Sequence, residues 1–118
     1  LNIITDHPGY HMSTGAHAFS FLEKIQDDHI KILFDLYHQQ ITDGNLLDTV
    51  TKNLSMIGHF HVAAVPGRIE PTVGELDYPY ILKTIEQLGY EGYFGLEYMP
   101  KRDALETLRE VRTAFPKS

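Results

Sequence analysis

The sequence predicts an α/β fold of four βα units with parallel strands, half of an eight-stranded (β/α)8 barrel. Three observations carry this. Short β-branched runs alternate with segments of helical period, short connections lead each helix into the next strand, and three strands end in side chains able to bind a metal. Such alternation calls for parallel strands, because each helix returns the chain to the end where the preceding strand began.

From Ser13 to Gln26, Ala16, Phe19, Leu22 and Ile25 recur at every third position behind Ser13 as N-cap, which predicts an amphipathic helix. Ile30 to Phe34, bounded by Asp28-His29 and Asp35, is short and β-branched and predicts a strand. Asp43-Gly44-Asn45 opens a second helix with Leu46, Val50 and Leu54 on one side, and Gly58 to Val65 follows as a strand. Tyr78 to Leu88 carries Ile81, Ile85 and Leu88 at helical spacing, with Gly89 as a stop signal. Tyr90 to Gly92 connects that helix to a strand at Tyr93 to Leu96. A closing helix runs from Asp103, its cap, to Phe115, with Leu105, Leu108, Val111 and Phe115 on neighbouring turns. Leu1 to Ile4 reads as the end of an earlier strand, so the order is β-α-β-α-β-α-β-α.

Four such units can build an open doubly wound sheet or half a barrel, and period alone does not choose. The polar residues do. A dinucleotide-binding sheet wants a Gly-rich turn after its first strand, whereas the longest Gly-containing loop here, Gly67 to Gly74, follows the third, and there is neither a P-loop nor a GxGxxG. In a parallel barrel the strand C-termini all open on one face. Ile32-Leu33-Phe34 runs into Asp35, Gly58-His59-Phe60 into His61, and Phe94-Gly95-Leu96 into Glu97, each about one βα unit from the next. Any one of them alone reads equally well as a strand-end polar residue that meets solvent or caps the next helix. Three in register point to a shared divalent cation.

The chain has no cysteine, so neither a disulfide framework nor a zinc-thiolate site is available. Asp, His and Glu together suit Mg²⁺ or Mn²⁺, with Co²⁺ or Zn²⁺ tolerated. His38, three residues after Asp35, either points at a substrate oxygen or lies on a surface loop, and His59 alternates onto the same side of its strand as His61. The long polar loop from Val65 to Glu75 sits at the same face. Its Arg68 either offers forked donors to a substrate carboxylate or enediolate oxygen, or pairs with Glu70 or Glu75.

Composition bounds the rest. The 118 residues fit one compact domain or a piece of a larger one, and 42% apolar with 22% charged residues is ordinary for a globular chain. No apolar run nears the roughly 20 residues of a membrane-spanning helix. A formal charge of −6, from 16 acidic against 10 basic residues, is the wrong sign for gripping a phosphate backbone. The N-terminal Leu-Asn-Ile-Ile-Thr-Asp has no basic region, no signal-type apolar stretch and no initiating Met, and reads as a chain that begins mid-protein.

Several motifs resemble the hydroxypyruvate isomerase family of the xylose isomerase-like barrels. They are Asp6-His7-Pro8-Gly9-Tyr10, Phe34-Asp35-Leu36-Tyr37-His38, the run from Ile57-Gly58-His59-Phe60-His61 to Val65-Pro66-Gly67-Arg68, Glu70-Pro71, Gly74-Glu75, Tyr78-Pro79, Gly89-Tyr90-Glu91-Gly92 and Gly95-Leu96-Glu97-Tyr98. The resemblance spans nearly the whole chain and implies strands five to eight of a (β/α)8 barrel. It implies Asp35, His61 and Glu97 as metal ligands, Glu97 also as one of two catalytic carboxylates, and His38 and Arg68 as substrate contacts. The expected reaction is hydroxypyruvate to tartronate semialdehyde through an enediolate, in the cytoplasm, on a small hydroxy-keto acid or sugar; the alternatives are a ketose 3-epimerase or inosose dehydratase of the same superfamily, or a catalytically incomplete half-barrel that only associates with a partner.

There are departures from the family pattern. The isomerases usually carry an amide where this chain has His61, as the ketose epimerases do, and Ala64 stands where Asp is common. Leu1-Asn2 aligns with the second half of a Glu-Pro-Leu-Asn stretch, which places the other catalytic glutamate upstream of Leu1 and leaves the isolated chain inactive. A half-barrel exposes sheet edges and an apolar interior, so the expected partner is a second copy or a missing N-terminal half, with no nucleic acid and no membrane.

Overall fold

The computed structural model describes residues 6–115; the strand end expected at Leu1 to Ile4 lies outside the described residues. Helix α1 (Gly15–Ile25) leads into β1 (Ile32–Asp35), which passes without a loop into α2 (Leu36–Thr42). Helix α3 (Leu46–Asn53) and one 3-10 turn precede β2 (Ile57–Val62). Helix α4 (Tyr78–Gln87), β3 (Phe94–Leu96) and α5 (Ala104–Ala114) complete the chain. The three strands form one parallel sheet in the order β1-β2-β3. Among the described residues no helix is long and apolar enough to cross a membrane.

Register decides which side chains share a face. Ile32 pairs with Ile57, but Leu33 pairs with His59, so Gly58 is an extra residue on β2. A Cβ on Gly58 would stand 2.7 Å from Lys31 Cβ, which is why glycine occupies the bulge. Had the first pairing continued, Asp35 would lie opposite Phe60, and every β2 side chain would stand on the wrong face. The bulge instead sets Asp35 against His61, and His61 against Gly95.

On the covered face, Phe34, Phe60 and Phe94 form a cross-strand row with ring centroids 6.0 and 5.5 Å apart. Phe19 of α1 stacks on Phe34, and Val50 of α3 with Ile81 and Ile85 of α4 fill the same core. The other face carries Leu33, Asp35, His59, His61 and Gly95, with Tyr93 two residues before Gly95, and it is open: Leu33 is 40% and Tyr93 85% exposed. In a closed barrel this would be the interior. At the sheet's upper end Tyr78 donates to the Ala63 carbonyl at 2.6 Å, fastening the end of β2 to the start of α4.

Three local expectations are revised. Helix α1 is capped by Thr14, whose hydroxyl accepts from His17 N–H at 3.2 Å, rather than by Ser13, and its buried face is Gly15, Ala18, Phe19 and Leu22, with Ala16 exposed. Helix α2 replaces the expected loop after β1, because Asp35 caps it directly. On α5 the buried residues are Thr107 and Val111, while Leu105 and Leu108 are 59% and 46% exposed. Thr107 faces inward because its hydroxyl meets Tyr98 Oη at 2.9 Å.

Candidate functional site

Asp35 serves two purposes with its two oxygens. Oδ1 accepts from the N–H groups of Tyr37 and His38 at 2.9 and 3.2 Å and caps α2. Oδ2 is left toward the rim, 3.6 Å from His38 Nε2 and 3.9 Å from His61 Nδ1. The helix-cap and rim-ligand readings of this residue are therefore compatible. Burial pushes its carboxyl above the usual range, against the pull of the His38 N–H and the His61 ring.

Glu97 lies one residue beyond β3, where its N–H donates to Val62 O at 3.1 Å and continues the parallel pairing. Its Oε2 stands 3.3 Å from His61 Nδ1 and accepts from Arg68 Nη2 at 2.6 Å. Although partial burial pushes the carboxyl up, the Arg68 hydrogen bond and charge outweigh it and hold Glu97 below its ordinary value. Asp35, His61 and Glu97 each offer one ligand atom, and the three lie within 4.8 Å of one another. Two carboxylate oxygens and one imidazole nitrogen, with Asp35 Oδ2 not used by the helix cap, form a donor set that fits a hard or borderline divalent cation.

Arg68 is aimed by a tight turn. Its own φ of 54° and the 98° of Gly67 are left-handed, and the turn is closed by Arg68 N–H to Ala64 O at 3.0 Å and Ala64 N–H to Ile69 O at 2.9 Å. The guanidinium lies 5.5 Å over the Tyr37 ring and reaches Glu97, not Glu70 or Glu75. His38 sits in the first turn of α2, fully buried, and among the described residues neither ring nitrogen has a hydrogen-bond partner. Burial, then the charge of Arg68, lower its pKa to about 4, so the ring is neutral at pH 7. It packs against His7 and Tyr37, with ring centroids 5.3 and 5.1 Å away.

Tyr37 was not among the expected site residues, yet it carries Arg68 on its ring and donates to Asp6 Oδ2 at 3.0 Å. Its place two residues after the strand-end carboxylate Asp35 was the available signal. His59 lies one row below His61, ring centroids 5.1 Å apart, and both rest on Gly95. A Cβ there would stand 2.7 Å from His59 Nε2 and 2.9 Å from His61 Cδ2. Gly95→Ala is thus expected to push His61 off the rim and weaken Mn²⁺ binding about tenfold, read by isothermal titration. Unchanged affinity would mean that His61 is not a ligand.

Residues 3–114 match the family model of the xylose isomerase-like TIM barrel. The hydroxypyruvate isomerase of Escherichia coli (strain K12) is 36% identical over 104 residues, covering 88% of this chain and 40% of that protein. The 2-oxo-tetronate isomerase of Cupriavidus necator is 38% identical over 96 residues, covering 81% of this chain and 37% of that protein. Among solved structures, an AP endonuclease of family 2 from Brucella melitensis superimposes with a TM-score of 0.90 at 34% identity, over 96% of this chain and 43% of that one. The chain thus spans about 40% of the length of the curated relatives it matches. The family match reaches to within a few residues of both ends, and the chain belongs to the xylose isomerase-like TIM barrel family.

Proposed function

We propose that this chain is the C-terminal half of a metal-dependent barrel isomerase that moves a carbonyl between adjacent carbons, converting hydroxypyruvate to tartronate semialdehyde. The observation that carries the reading is the convergence of Asp35, His61 and Glu97, from three separate βα units, to within 4.8 Å. The names of the relatives from Escherichia coli and Cupriavidus necator support the reaction class. The exposed inner face with Leu33 and Tyr93 suits cover by a further half-barrel, either an N-terminal half or a second copy.

Asp35, His61 and Glu97 would hold the cation. Bound Mg²⁺ or Mn²⁺ would supply a Lewis acid for the carbonyl and enediolate oxygens. Glu97, ionised at neutral pH, takes the proton from the hydroxyl-bearing carbon; the C–H electron pair becomes the C=C bond and the carbonyl oxygen takes up the charge. Return of a proton to the neighbouring carbon, with the hydroxyl proton passing to the former carbonyl oxygen, moves the carbonyl without external oxidant or reductant. Arg68 offers a fixed cation to the carboxylate or the enediolate oxygen. His38, neutral and without a partner on either nitrogen among the described residues, can donate to one substrate oxygen.

His61, where the isomerase pattern has an amide, favours a second reading as a ketose 3-epimerase. Incubation of the full-length barrel, this chain together with its N-terminal half, with Mn²⁺ and either hydroxypyruvate or ketohexoses, with products resolved by NMR, separates them. Tartronate semialdehyde with unchanged ketohexose supports the isomerase, and epimerised ketohexose with unchanged hydroxypyruvate overturns it.

A further inference from the structure

We propose that Glu70 is a positioning residue for this site: its buried carboxylate locks the segment carrying Arg68 to the segment carrying Glu97, and so sets the contact between them. The inference rests on the isomerase reading and adds a residue to it.

Glu97 stands past the end of β3, and regular structure does not resume until α5 at Ala104. Tertiary bonds must therefore hold residues 97–103. One is Glu97 N–H to Val62 O at 3.1 Å. Three others reach residues 68–70: Met99 N–H donates to Arg68 O at 2.8 Å, Lys101 N–H to Glu70 Oε2 at 3.1 Å, and Arg102 Nε to Glu70 Oε1 at 3.1 Å. Arg102 then spans to α5, donating from Nη1 and Nη2 to Glu110 at 2.7 and 2.6 Å.

Glu70 is 3% exposed, and burying a carboxylate is costly unless both oxygens are paired, as they are here. The Lys101 N–H, with Arg102, keeps the carboxyl below its ordinary value, so the clamp is charged at neutral pH. Glu70 lies two residues from Arg68, and Lys101 four from Glu97. A loose clamp therefore acts directly on the 2.6 Å Arg68–Glu97 contact. Misplacement of a reacting group by about 1 Å can cost roughly a hundredfold in rate.

Glu70→Gln keeps the shape but turns an NH2 group toward one of two donors. Made in the full-length barrel, as are the variants below, it is expected to lower kcat about tenfold or more and to weaken Mn²⁺ binding severalfold, because Glu97 is displaced. Val50→Ala, on the buried face of α3 and with no part in the clamp's hydrogen bonds, serves as the stability control. The expected result, well below both melting temperatures, is a low kcat in Glu70→Gln beside a wild-type kcat in a Val50→Ala of equal or lower stability. Wild-type kcat, KM and Mn²⁺ affinity in Glu70→Gln, or an equal kcat loss in both variants, would overturn the role. If Glu70→Gln does not fold, Arg102→Met keeps the Lys101 bond and is read in the same way. Glu97→Gln in parallel separates the two readings. Intact turnover there overturns the isomerase and the clamp together; lost turnover there beside intact turnover in Glu70→Gln overturns the clamp alone.

Discussion

Glutamine at position 97 of the full-length barrel is expected, on the isomerase proposal, to lower kcat for hydroxypyruvate by about 10² to 10⁴-fold, the usual contribution of a positioned general base, with little change in melting temperature. The substitution is isosteric, so the Arg68 contact survives as a hydrogen bond from the guanidinium to a neutral amide oxygen. The side chain is half exposed, and an exposed ion pair contributes only about 0–1 kcal/mol. What disappears is the anion. Arg68 and His61 hold the Glu97 carboxyl below its ordinary value, so at neutral pH it is ionised and able to accept a proton, whereas an amide cannot. Exchange of the substrate's carbon-bound proton with D2O provides a second measurement independent of product release. A Glu97→Gln protein that still exchanged at the native rate would remove Glu97 from the proton transfer.

How much of this was legible beforehand depended on how local each signal was. Asp35, His61 and Glu97 could be read from the chain because each follows a short strand, and parallel strands send their ends to one face. The rank of His61 beside Asp35 could not, since it depends on the bulge at Gly58, where a single residue reverses the faces of β2. Helix α2 was hidden because Asp35 both ends a strand and caps a helix, leaving no turn residues between them. The inward face of α5 was misread from Leu105 and Leu108, because apolar spacing locates an apolar stripe without saying what covers it. Thr107 and Val111 face the rest of the chain instead, and the Tyr98 hydroxyl that holds Thr107 lies on another segment. Glu70 was read as a possible surface partner of Arg68; its burial under residues 101–102 is a tertiary fact that no periodicity encodes.

Phe60→Ala is expected to cost about 3–5 kcal/mol, the usual penalty for emptying an aromatic site in a close-packed core. Phe60 is fully buried at the centre of β2, between Phe34 and Phe94, with the Tyr90 ring edge-on at 4.8 Å. Domains are stable by only about 5–15 kcal/mol, so the loss is a large fraction of the total. It also falls at a critical place, because His59 and His61 flank Phe60 and project from the opposite side of the same strand. A strand no longer seated on the helices cannot hold His61 against Asp35, so Mn²⁺ affinity is expected to fall with stability. Leu33→Ala, on the open face and 40% exposed, is the counterpart and is expected to cost less than about 1 kcal/mol. Urea unfolding of the two variants then compares the two faces of the sheet. Equal penalties would mean that the open face is covered in solution, and with it the rim where Asp35, His61 and Glu97 meet.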